Sequence, residues 1–70
     1  MLRAAELRMK VRDILHWLHD QGWRVVAVRG SHRQLKHPHR PGRVTVPGKP
    51  SDDLTRGLLD SILKQASRER

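Results

Sequence analysis

Arg29-Gly30-Ser31-His32-Arg33-Gln34-Leu35-Lys36-His37-Pro38 reads as a glycine bend opening into a short strand, and its alternation decides the layout of the chain. Side chains of a regular strand point to opposite faces in turn. His32, Gln34 and Lys36 therefore share one face, and Arg33, Leu35 and His37 share the other. Leu35 is the only large apolar side chain in the stretch, so its face belongs to the core. His32 and Lys36 are left on an open face, a titratable group beside a permanent cation. Such a pair suits work on a phosphodiester.

Upstream, Trp23 to Val28 is rich in β-branched residues and fits a strand, joined to the next by a tight Gly30-Ser31 turn. Before it, Leu7, Val11, Ile14, Leu15 and Leu18 recur in three- and four-residue steps, the stripe of an amphipathic helix with Trp17 at its edge. Gly22 ends this helix as a left-handed cap. Good helix formers reach back to Ala4, but Met9 is the favoured start, with residues 1–8 an N-terminal extension, frayed or helical.

Downstream, Pro38-His39-Arg40-Pro41-Gly42 cannot continue a ladder and reads as an exposed turn. Arg43 to Val46 is a third strand, with Val44 and Val46 facing the core and Arg43 and Thr45 facing outward. Pro47-Gly48-Lys49-Pro50 breaks the sheet, and Ser51-Asp52-Asp53 carries helix-start chemistry. Leu54, Leu58, Leu59, Ile62, Leu63 and Ala66 form a second apolar stripe, and residues 67–70 are a tail. The expected fold is α+β in the order α-β-β-β-α, with two helices on one face of a three-stranded antiparallel sheet. The other face stays wet. His32, Lys36, Arg43 and Thr45 all fall on it.

Composition points to an anionic partner. Fifteen Lys and Arg stand against seven acids in 70 residues, a formal charge of +8. A field of that sign on so small a body attracts polyanions, and the attraction weakens with salt. No apolar run approaches the roughly 20 residues that span a bilayer, and no signal-peptide pattern is evident. Nucleic acid leads over membrane as the partner class, and a cytoplasmic location is expected. Cysteine is absent, so neither disulfides nor thiolate zinc sites support the fold.

The ordered set Met9–Leu15, Gly22-Trp23, Gly30–Gln34, Lys36–Pro38, Gly42–Val46, Leu59 and Ser61–Ala66 resembles the HicA toxins, small mRNA interferases of bacterial and archaeal toxin–antitoxin systems. The resemblance covers about residues 9–66, the expected domain. It implies a double-stranded-RNA-binding-domain-like fold, with His32 as the catalytic histidine of an endoribonuclease that cuts mRNA without a metal or other cofactor. It also implies a HicB-like antitoxin over the His32 face, through which alone the chain would meet DNA. Three positions depart from the family pattern. Leu35 replaces a more usual aromatic residue, Lys49 stands where many members carry histidine, and Arg56 where a helix-starting proline is common.

His32 fits a base that takes the proton of a ribose 2′-OH. Lys36 and Arg43 are the leading phosphate contacts, with Arg29 and Arg33 also assigned to RNA binding and Arg24, Arg40, Lys49 and Arg56 as further cations. His16 with His19 and His37 with His39 lack a third metal ligand nearby, so solvated histidines are expected there. Trp17 and Trp23 are expected in the core rather than as stacking platforms. The absence of Phe and Tyr also argues against a sheet that stacks bases. The competing reading is a non-catalytic RNA-binding module on the same scaffold.

Overall fold

Val11, Ile14 and Leu18 fall on one side of a helix by their spacing, and all three are buried in α1 (Val11–Asp20). The computed structural model describes residues 9–68, so Leu7 and the expected extension over 1–8 lie outside the described residues, as do residues 69–70. The free amides at the start of α1 are taken up by a distant loop. Val11 N–H donates to the Asp52 carbonyl at 2.9 Å and Arg12 N–H to that of Pro50 at 3.0 Å. The Asp13 carboxylate accepts Lys10 N–H at 2.8 Å. At the other end Gly22 has φ +101°. Its N–H donates to the His19 carbonyl and that of Trp23 to the Leu18 carbonyl, both at 3.0 Å. This is a Schellman ending, completed by contact between buried Leu18 and Trp23.

Three antiparallel strands follow in sequence order: β1 (Arg24–Arg29), β2 (His32–Lys36) and β3 (Val44–Val46). Gly30, at φ +59°, and Ser31 close the β1–β2 hairpin. A left-handed first position followed by an ordinary second one is the primed turn that matches strand twist. Val25 pairs with Leu35 and Ala27 with Gln34, so Val26 is an extra residue, a bulge. Leu35, Val44 and Val46 are buried against the helices, while His32 and Lys36 are exposed on the reverse. The alternation expected from the sequence therefore holds across β2 and β3.

The second helix, α2, spans Arg56–Ala66, and its cap differs from the expected one. Ser51-Asp52-Asp53 do not start it. They form the loop that clamps α1, with Asp52 also accepting Lys49 N–H at 2.9 Å. Thr55 is the cap, its hydroxyl accepting Leu58 N–H at 3.2 Å. The aspartate side chains are engaged within this clamp, Asp52 by Lys49 N–H and Asp53 by Lys10 Nζ, while the loop's carbonyls take the α1 amides. Leu54 precedes α2 yet is buried, while Ile62 and Ala66 carry the helix into the core. Leu63 is exposed, at the edge of the stripe.

The core joins Val11, Ile14, Leu18, Trp23, Leu35, Val44, Val46, Leu54, Ile62 and Ala66, which places both helices on one sheet face. Trp17 departs from expectation. It is 41% exposed, because Val11, Ile14 and Leu18 already define the buried side and position 17 turns away from it.

Candidate active site

The uncovered sheet face is built by β2 and its neighbours. His32 is the first residue after the hairpin turn, and Arg29 lies directly opposite it on β1. Directly opposed side chains on one face sit about 5 Å apart at Cβ, so the two side chains leave the sheet at neighbouring points. Two residues along, Gln34 pairs with Thr45 of β3. Its Oε1 accepts a 2.6 Å hydrogen bond from Nη1 of Arg43, which draws that guanidinium over the middle of β2. Leu35 pairs with Val44, so one further step along the ladder sets Lys36 against Arg43. The face thus carries His32 among Arg29, Arg43 and Lys36.

No carboxylate balances these charges locally. Among the described residues every acid lies elsewhere: Asp13 and Asp20 on α1, Asp52 and Asp53 in the clamp loop, and Asp60 on α2. Among the described residues, an anion approaching the open face meets cations and no carboxylate. His32, Lys36 and Arg43 are exposed and need no rearrangement to be reached.

Not every residue assigned to RNA binding shares this surface. Arg33 points to the helix side of β2, and its Nη1 donates to the Gly48 carbonyl at 3.2 Å. It is not brought together with His32. Arg24 pairs with Lys36 and so starts from the open face, but its Nη1 turns back to the carbonyls of His19 at 2.9 Å and Trp23 at 3.0 Å, tying β1 to the end of α1. Arg29 does stand beside His32, and the hairpin register puts it there.

His37 corrects the expectation of a solvated histidine. Its Nδ1 accepts His39 N–H at 2.9 Å, so Nε2 carries the hydrogen and donates to the Gln21 carbonyl at 2.8 Å. The ring also stands edge-on to Trp23, with centroids 5.3 Å apart. His37 is a fastener between the end of α1 and the β2–β3 turn. With His16 and His19 on α1, His32 is the histidine that belongs to the open face. Among the described residues no three His, Cys, Asp or Glu side chains cluster as metal ligands would. The residue that sequence reasoning left without a role is Gln34. Its place between His32 and Lys36 was the available signal.

Among the described residues no helix is long and apolar enough to cross a membrane. No curated protein matches the chain. The sequence profile of one family, described as the HicA toxin of bacterial toxin–antitoxin systems, matches residues 11–67, from the first residue of α1 to the residue that ends α2. That span takes in the whole sheet and most of the chain, and the chain belongs to the HicA toxin family.

Proposed function

We propose that this chain is a cytoplasmic endoribonuclease that cuts mRNA through His32 without a metal ion, as the toxin partner of a HicB-type antitoxin. The observation that carries the reading is the placement of His32 on an exposed sheet face beside three cations, with no acid on that face among the described residues. The RNA backbone lies along β2. The His32 imidazole takes the proton of a ribose 2′-OH, and that oxygen attacks the adjacent phosphorus. The bond from phosphorus to the 5′ oxygen breaks, leaving a 2′,3′-cyclic phosphate and a 5′-OH end. Solvent protonates the departing oxygen, since no second histidine shares the face. Arg29, Lys36 and Arg43 meet the charge that grows on the phosphoryl oxygens. Gln34 positions Arg43 for this and touches no reacting atom. An antitoxin covering the same face would exclude RNA by occupancy, and DNA would be contacted only through it.

The chemistry is read from the products. Single-stranded RNA incubated with the purified chain in EDTA should yield fragments ending in 2′,3′-cyclic phosphate. Fragments with 3′-OH ends would reject 2′-OH attack. RNA bound but left intact would favour the non-catalytic binding module.

A further inference from the structure

Of β1, the proposed chemistry uses Arg29 alone, and the rest of the strand has no part in it. The buried strand residues are Leu35 of β2 and Val44 and Val46 of β3, and none lies on β1, so the helix side of β1 is left uncovered. Val25 is 48% exposed and Val28 58%, and the bulged Val26 is 51% exposed. A groove of about 430 Å³ runs between α1 and this half of the sheet, with Leu15, His16, His19, Val25 and Arg33 among its lining residues. β1 is also an outer strand, in the order β1-β2-β3. The two edges are treated differently. At β3, the Gln65 side chain from α2 accepts Thr45 N–H at 3.1 Å. At β1, no hydrogen bond from another element closes the outer edge among the described residues. Exposed valines beside an open ladder invite another strand.

Charge selects the occupant. A second copy adding symmetrically and antiparallel about the middle of β1 would set Arg24 against Arg29 of its neighbour at both ends. It would also join two chains of +8. Like charges directly opposite destabilise a strand pair. An acidic strand meets the reverse situation: Arg24 and Arg29 at its ends, Arg33 in the groove opposite Val28, and two histidines on α1.

We propose that β1 is a strand-addition site for an extended segment of the antitoxin that alternates apolar and acidic residues. Its backbone pairs with the open edge, its apolar side chains cover Val25 and Val28, and its carboxylates meet Arg24 and Arg29. This rests on the antitoxin reading above. It adds a second contact along the outer edge of β1, which meets the His32 face only at Arg29.

The test co-expresses the chain with the HicB-type protein of the neighbouring reading frame and compares hydrogen exchange in the purified complex and the free chain. Amides of residues 24–29 should become protected on complex formation. Val28→Lys, exposed on the sheet face opposite to that of His32 by its pairing with Arg33, should weaken the complex roughly tenfold or more while leaving RNA cleavage by the free chain unchanged. A complex that protects residues 31–36, leaves 24–29 exchanging and tolerates Val28→Lys would overturn the strand-addition site and keep the antitoxin reading. Failure of the unaltered chain to form any complex would overturn both. Dimerisation of the free chain, abolished by Val28→Lys, would assign the edge to a second copy and reject an acidic partner strand.

Discussion

Gly22→Ala probes the fastening that holds α1 to the sheet, and its cost can be worked from the geometry. At φ +101° the backbone lies where an L side chain costs about 1–2 kcal/mol. A Cβ there would stand 2.7 Å from His37 Nε2, too close for any real contact. The ring must then move, loosening its 2.8 Å bond to Gln21 and the 2.9 Å bond it accepts from His39. Those bonds contribute about 1 kcal/mol each at most, and less where water can replace them. The total is roughly 1–4 kcal/mol, a large fraction of the few to ten available to a domain of this size. The melting temperature followed by circular dichroism should therefore fall by about 5–25 °C. His37→Ala removes the obstruction, so the double variant should cost about 1 kcal/mol less than the sum of the singles. A Gly22→Ala protein melting within about 3 °C of the parent, or strictly additive costs, would refute the reasoning.

Two further outcomes follow from other contacts. Thr55→Ala removes the side-chain acceptor at the start of α2 and should destabilise by about 1 kcal/mol in chemical denaturation, while Ser51→Ala should change little; equal losses would mean the helix is capped elsewhere. In a His32→Ala background, Lys36→Ala and Arg43→Ala should each weaken RNA binding and lower the salt slope by about one unit, and Gln34→Ala should reproduce part of the Arg43 loss. Unchanged slopes in all three variants would place RNA on another surface.

The fold was legible where hydrophobic spacing and chain geometry agree. Val11, Ile14 and Leu18 marked one helix face, Gly22 its end, and a lone Leu35 set the inner face of β2 and with it the open position of His32. What was not legible depended on contacts between distant segments. Asp52 and Asp53 have the chemistry of a helix start, but their carboxylates are taken by Lys49 N–H and Lys10 Nζ, so the cap of α2 passes to Thr55. His37 looks like any solvated histidine until the fold sets it against Trp23 and Gln21. Trp17 belongs to the stripe by spacing, yet a domain this small has too little interior to enclose a second indole beside Trp23. Arg33 carries a charge that composition alone assigns to RNA. The same alternation that exposes His32 already turns it to the helix side, and there its partner is the carbonyl of the distant Gly48. The exposure of the β1 valines is likewise a matter of coverage: the buried strand residues fall on β2 and β3, and nothing in the local pattern of residues 24–29 says so.

The most direct measurement is the rate of RNA cleavage by purified His32→Ala protein in EDTA, beside the unaltered chain and with both shown to be equally folded by circular dichroism. His32 is exposed and makes no contact that the core depends on, so its loss should leave the melting temperature within a few degrees of the parent. Removing the general base should lower cleavage by at least about a hundredfold while RNA binding persists through Arg29, Lys36 and Arg43. Cleavage at the parent rate by a folded His32→Ala protein would contradict the account.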